Sequence, residues 1–157
     1  MQIFVMRHGQ ATLMGRSDSQ RPLTETGRLE VERMAKWLNN SSFTFSHILV
    51  SPFVRAQQTA DILVEKLNCS ASLSTLDLIT PSGSAREVHD YIDGACSSEK
   101  YKNILIVSHL PLVSYLTAEL TVECFAPIFQ TGAIAQIDYN VKHMNGHVVQ
   151  LVSPNEL

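Results

Sequence analysis

The sequence predicts an α/β fold, a three-layer α/β/α sandwich around a mainly parallel sheet with a C-terminal antiparallel hairpin. Three observations predict it. Ile3-Phe4-Val5-Met6, Ile48-Leu49-Val50 and Ile104-Leu105-Ile106-Val107 are short apolar runs, each stopped abruptly by polar, Pro or Gly residues. Runs of this kind read as strands buried on both faces. The second and third lead into helical patterns, the strand-then-helix order of crossover units. Near the C-terminus, residues 133–141 and 148–152 flank Asn145-Gly146, a hairpin-turn signal, and read as an antiparallel ribbon added at the sheet edge.

Taken in order, the first strand runs into Arg7-His8-Gly9, and residues 10–24 are polar and small, a loop at the strand end where function commonly sits. Thr24 is placed to cap a helix whose Val31, Met34, Ala35 and Leu38 recur at helical spacing, and Asn39-Asn40-Ser41-Ser42 closes it. The second helix starts near Phe53, with Ala56, Ala60, Leu63 and Leu67 facing inward. A weaker strand is expected over residues 73–76. Ser84 is placed to cap a third helix with Ala85, Val88, His89, Ile92 and Cys96 on one face. Pro111 suits the first turn of a fourth, where its missing N–H costs nothing.

The 157 residues show no repeat, low-complexity tract or linker, so residues 1–157 are expected to form a single domain. A chain of this size buries roughly 68–70% of its unfolded surface and needs no staple. The net charge of −3 argues against a nucleic-acid surface or a polybasic membrane surface, so any anion site must be a local basic pocket. Cys69, Cys96 and Cys124 are odd in number, widely spaced and without a Cys-x-x-Cys, as expected of reduced thiols in the cytoplasm. No signal peptide and no membrane-spanning run is expected, and no stripe demands a dimer, so a monomer is the default.

In parallel sheets, ligands sit beyond the carboxyl ends of the strands. There Arg7-His8-Gly9, Ser51-Pro52-Phe53-Val54-Arg55 and Ser108-His109-Leu110-Pro111 would bring two arginines and two histidines together, a set suited to a phosphoryl group. A neutral imidazole is a competent nucleophile toward phosphorus. Guanidinium groups supply permanent charge in a fork that matches two phosphate oxygens. Arg55 also falls in the first turn of its helix, where free N–H groups favour anions. The plainer alternatives are a pair of hydrogen-bonded structural histidines, or Arg55 as a surface residue. A zinc site is disfavoured, because only two histidines converge and the arginines would repel a cation. His47, His89, His143 and His147 carry no functional assignment; His89 reads as a satisfied, half-buried histidine of its helix.

These blocks resemble the histidine phosphatase superfamily, also called phosphoglycerate-mutase-like: Arg7-His8-Gly9, Ser51-Pro52-x-x-Arg55-Ala56-x-x-Thr59, and Ser108-His109. Ser17-Asp18-Ser19-x-Arg21-Pro22-Leu23-Thr24 and Ser108-His109-Leu110-Pro111-Leu112-Val113 resemble its small bacterial branch, the SixA-type phosphohistidine phosphatases. The likeness runs from Met1 to about Ile137. It implies His8 as nucleophile through a phosphohistidine intermediate, and Arg7, Arg55 and His109 as the phosphate pocket, with neither metal nor cofactor. Arg21 is a further candidate phosphate or substrate contact, or else a salt-bridge partner of Asp18, itself read as a loop-ordering residue. His8 must be neutral to attack and His109 would help most as imidazolium, so their pKa values are expected to part.

One departure matters. Leu78 stands where the SixA branch leads one to expect a glutamate, and Asp77 is the only nearby carboxylate. Without a good acid, expelling an alcohol is hard, whereas a phosphohistidine leaves as neutral imidazole. The expected function is therefore a metal-independent protein-histidine phosphatase. Its partner would be a histidine-phosphorylated protein, such as a phosphotransfer domain or a phosphocarrier protein. Short connections around the site, with no long lid, suit a phosphorylated side chain on another protein. The rivals are a small-molecule phosphomonoesterase or mutase using Asp77, and a non-catalytic module that binds phosphorylated proteins.

Overall fold

The computed structural model describes residues 1–98 and 101–157. Strands and helices alternate as β1 (Gln2–Arg7), α1 (Glu25–Asn39), β2 (His47–Val50), α2 (Val54–Lys66), β3 (Ser72–Thr75), α3 (Ala85–Ser97), β4 (Ile104–Ser108) and α4 (Leu112–Leu120). The hairpin β5 (Ile134–Asn140) and β6 (Asn145–Val152) follows. The strands form one sheet in the order β3-β2-β4-β1-β5-β6. β1 to β4 run parallel; β5 is antiparallel to β1, and β6 to β5.

Alternation along the strands splits the core into two layers. Phe4, Met6, Ile48, Val50, Leu105 and Val107 face α1 and α2 with Val31, Met34, Ala35, Leu38, Ala56, Ala60 and Leu63. Ile3, Val5, Leu49, Ile104 and Ile106 face α3 and α4 with Val88, Ile92, Leu112, Leu116 and Leu120. The strands read as continuous apolar runs because both faces are covered. The helix starts follow their caps: Thr24 Oγ1 accepts from Gly27 N at 3.0 Å, and Ser84 Oγ from Glu87 N at 3.3 Å. Each satisfies one otherwise orphaned donor, typically worth ~1 kcal/mol.

Three local expectations shift. β3 starts one residue before the expected 73–76. Pro111 stands at the N-cap of α4, its carbonyl accepting from Ser114 and Tyr115, rather than inside the first turn. The hairpin turn is not Asn145-Gly146 but residues 141–144, since Asn140 already faces Asn145 and Tyr139 faces Gly146 across the ladder. Asn140 Oδ1 accepts from Lys142 N and His143 N at 3.0 and 3.1 Å, folding the chain back, and Met144 takes the left-handed conformation at φ 54°. Gly146 is needed for another reason: a Cβ there would lie 2.3 Å from the Asp138 carbonyl oxygen.

His89 in α3 is buried within a polar network. Its Nδ1 lies 3.2 Å from Glu119 Oε1 of α4, and its Nε2 lies 2.8 Å from Tyr139 Oη and 3.3 Å from Asp93 Oδ2. Tyr139 Oη donates in turn to Asp93 Oδ1, and burial followed by that carboxylate pushes the phenol pKa well up. The network ties α3, α4 and β5 together.

The topology also positions a site. β2, β4 and β1 are sheet neighbours and parallel, so the segments that follow them emerge side by side at one edge. The chain entering β5 arrives at the same edge, where Gly132 N donates to the carbonyls of Arg7 and His8 at 3.1 and 2.9 Å.

Candidate active site

At that edge a cavity of about 230 Å³ is lined by Arg7, His8, Gln10, Ala11, Leu13, Arg21, Arg55, His109, Leu110 and Thr131. All five side chains expected to meet there do so. A larger depression of about 660 Å³ lies at the opposite end of β1, between Met1 and the hairpin turn, and none of those five residues lines it. The expected site residues converge on the smaller one.

His8 follows β1 directly. Its Nδ1 lies 2.7 Å from the Gly9 carbonyl oxygen, which can only accept, so Nδ1 carries a proton. Nε2 is then the ring's lone-pair nitrogen, and Arg55 Nε donates to it at 3.1 Å. Gly9 permits this tight exit from the strand: a Cβ there would meet the Gly27 carbonyl oxygen in the first turn of α1 at 2.6 Å. Thr59 holds the same corner, its hydroxyl donating to the Arg55 carbonyl at 2.8 Å and accepting from Gly9 N at 3.2 Å.

Arg55 is almost completely buried and turns two further donors to Asp18. Nη1 donates to the Asp18 carbonyl at 2.6 Å and Nη2 to Asp18 Oδ2 at 3.2 Å. Its Cζ lies 5.1 Å from the Phe53 ring centroid. Arg21 grips the same carboxylate through Nε and Nη2 at 3.0 and 2.8 Å from Oδ1, and donates through Nη1 to the Thr12 carbonyl at 3.0 Å. Arg21 is therefore at once a pocket wall and a partner of Asp18. Burial pushes the Asp18 carboxyl up, but the hydrogen bonds and charges of the two arginines outweigh it and hold its pKa below the usual value.

Arg7 is anchored by Nη1, which donates to the Phe129 carbonyl at 2.9 Å, while its buried Nε has no partner among the described residues. Glu30 of α1 joins the two walls on either side of it. Its Oε2 accepts from Gln10 N at 2.8 Å and its Oε1 from Thr131 Oγ1 at 2.9 Å. His109 follows β4, with its ring centroid 5.0 Å from that of His8. Its Nε2 lies 2.7 Å from Ser51 Oγ at the end of β2, and its Nδ1, also buried, has no partner.

The expected separation of the two histidine pKa values does not occur. Burial presses His8 down to about 4; its bond to Gly9 is the next strongest influence and opposes this, while the Arg55, Arg7 and Arg21 charges add to the depression. Burial, then His8 and Arg55, press His109 down to about 3. Both rings are neutral near pH 7. The single-residue reasoning failed because burial and shared cationic neighbours act on both rings in the same direction.

Asp77 lies in the exposed turn before α3 and is not among the residues lining the cavity; Leu78 beside it packs against the α3/α4 core layer. Among the described residues no three His, Cys, Asp or Glu side chains converge as a metal site, and no helix is long and apolar enough to cross a membrane. Sequence reasoning missed the parts played by Ser51, Thr59, Glu30 and the Phe129 carbonyl. Ser51 and Thr59 stand in the motif around Arg55 and were open to a closer reading. Glu30 shows no local signal on an otherwise ordinary helix surface.

Residues 3–77 match the model of the histidine phosphatase superfamily, branch 1. The chain is 44% identical over 137 residues to the phosphohistidine phosphatase SixA of Escherichia coli K12, covering 87% of this chain and 84% of that protein. It is 38% identical over 144 residues to a SixA homolog of Haemophilus influenzae, covering 87% of each. Its fold superposes on a structure of the protein histidine phosphatase SixA complexed with tungstate, with a TM-score of 0.93, 41% identity and 99% of both chains covered. At that identity over so much of both chains, the protein belongs to the histidine phosphatase superfamily.

Proposed function

We propose that this protein is a metal-independent protein-histidine phosphatase, with His8 as nucleophile and Arg7, Arg55 and His109 as the phosphate pocket. The observation that carries the reading is the held tautomer of His8. The Gly9 carbonyl takes the Nδ1 proton and leaves the Nε2 lone pair among three guanidinium groups. In the first step Nε2 attacks phosphorus in line, the P–N bond of the substrate phosphohistidine breaks, and the departing imidazole keeps that electron pair. With its other nitrogen already protonated it leaves neutral, needing no acid from the enzyme. In the second step water attacks the phosphoryl group on His8, the bonding pair returns to Nε2, and the water's proton leaves with inorganic phosphate. Arg7, Arg55 and Arg21 offset the charge gathered on the equatorial oxygens. A bound phosphoryl dianion also raises the pKa of His109 from its low value, strengthening that ring as a donor.

The choice of a P–N substrate rests on which acids are at hand. Asp18, the carboxylate bonded to Arg55, is held ionised by two arginines, and Asp77 is outside the cavity, so neither serves an alkoxide leaving group. The SixA relatives carry phosphohistidine phosphatase names, and one of them binds tungstate, a tetrahedral oxyanion like phosphate. The partner is a histidine-phosphorylated protein such as a phosphotransfer domain or phosphocarrier. The small cavity bordered by Leu13, 92% exposed, encloses one phosphoryl group and leaves an apolar rim for a protein surface. The protein acts as a single-domain monomer in the cytoplasm, a setting that suits its three free cysteines.

The test incubates wild type and His8→Ala with a ³²P-labelled histidine phosphotransfer domain and with a panel of phosphomonoesters. Wild type should release phosphate from the protein and pass through an acid-labile phosphoenzyme, and His8→Ala should do neither. Preference for the esters would establish the small-molecule rival. Tight binding of the phosphoprotein without any label on His8 would establish the binding module.

A further inference from the structure

The Ser51 hydroxyl is fully buried at the carboxyl end of β2 and has one proton to place. Phe53 N donates to its oxygen at 3.3 Å and, being a donor, cannot take that proton. The other group in reach among the described residues is His109 Nε2 at 2.7 Å. A buried O–H without an acceptor costs ~1–3 kcal/mol, so the proton is directed at Nε2, which must then hold a lone pair. A neutral His109 with a lone pair on Nε2 carries its proton on Nδ1, the buried nitrogen with no partner. The opposite tautomer would orphan the serine proton and leave Nδ1 a lone pair, which repels phosphoryl oxygens.

We infer that Ser51 is a positioning residue: by donating to Nε2 it keeps the His109 proton on Nδ1, so that the ring meets a phosphoryl oxygen as a donor while still neutral. The inference rests on the phosphatase reading above for its purpose, but not for its geometry. The serine is well fixed for the task, with its N donating to the Val107 carbonyl at 3.1 Å and its carbonyl accepting from Gln57 Nε2 at 2.8 Å. The two rings then present opposite polarity to one phosphoryl group. His8 shows a lone pair because a carbonyl holds its other nitrogen. His109 shows a proton because a hydroxyl does.

The experiment is long-range ¹H–¹⁵N correlation of histidine-labelled protein near neutral pH, which distinguishes protonated from bare ring nitrogens. It is paired with hydrolysis of phosphoramidate by wild type, Ser51→Ala and Ser51→Thr. Wild type should show His109 protonated on Nδ1 and bare on Nε2. Ser51→Ala should spread the proton over both nitrogens and lower kcat by about tenfold with little change in KM, short of the ~10²–10³ lost with a whole oxyanion donor. Ser51→Thr, which keeps the hydroxyl, should restore both. A wild-type ring protonated on Nε2 overturns the inference, as does Ser51→Ala with unchanged tautomer and kcat. Should Ser51→Ala fail to fold, the wild-type spectrum decides alone. It needs no substrate, so the expected tautomer in a protein that hydrolyses nothing would sink the phosphatase reading and leave the tautomer assignment standing.

Discussion

The His8/His109 pocket and the His89 network bury the same side chain in opposite company. Around His89 stand a phenol and two carboxylates, and both ring nitrogens have protein partners. Around His8 and His109 stand guanidinium groups; one nitrogen of His109 and one of Arg7 have no partner, and Arg55 divides its donors between the His8 ring and Asp18. The first arrangement spends most of its hydrogen-bonding capacity on holding α3, α4 and β5 together, with Asp93 Oδ2 left only its 3.3 Å approach to His89 Nε2. The second gathers like charges and leaves capacity open, which costs folding energy and suits a ligand that brings negative charge.

The contrast breaks most sharply under substitution. Arg55→Ala should lower kcat/KM on a phosphohistidine protein by about 10³-fold, because it removes the partner of His8 Nε2 and, on the proposed mechanism, a transition-state donor. Its melting temperature should change by no more than a few degrees, since the lost bonds to Asp18 are offset by relief among the clustered cations. A calorimetric fall of many degrees would show that the pocket is a structural clamp after all. His89→Leu should do the reverse. Stripping a partner from Asp93 and Tyr139 should cost about 2–3 kcal/mol, near 4–10 °C in Tm for a chain of this size, with turnover unchanged. Lost turnover in a folded His89→Leu protein would erase the distinction.

Acid sharpens the comparison further. An unfolded chain takes up protons on His8 and His109 near the ordinary value of 6.5, but the folded chain only near about 4 and about 3. Between those limits the unfolded state holds more protons, so stability falls as pH drops from roughly 6.5 toward 4. Urea midpoints across that range should decline for wild type, and His109→Asn should flatten the slope by about half. An equal slope would mean that other groups carry the pH dependence. Smallest of all, Glu30→Gln keeps one acceptor of the two that join the pocket walls. It should raise KM for the phosphoprotein about threefold and leave kcat nearly intact, as steady-state kinetics would show.

How much of this was legible beforehand follows from the range of each interaction. β1, β2 and β4 were readable because strands covered on both faces become unbroken apolar runs. The starts of α1 and α3 were readable because Thr24 and Ser84 act within three residues. The convergence of Arg7, His8, Arg55 and His109 could be expected because parallel strands put their carboxyl ends at one edge. The hairpin turn was misplaced by a local rule: Asn145-Gly146 has turn chemistry, yet its glycine answers to the Asp138 carbonyl across the ladder. Glu30 could not be read, since its two acceptors meet residues 20 and 101 positions away. Nor could the shared depression of the two histidine pKa values, which depends on burial that exists only once the pocket has closed.

The adjacency of β2, β4 and β1 has one more consequence. Strands in a sheet keep a spacing of about 4.8 Å, so three neighbours measure out a span near 10 Å that their hydrogen-bond ladder enforces. His8, Arg55 and His109 each stand within a few residues of that ladder. Insertions in residues 10–24 or 121–133 would reshape what approaches the site without altering its gauge. The approach can thus be redecorated for a different clientele while the yardstick beneath stays the same length.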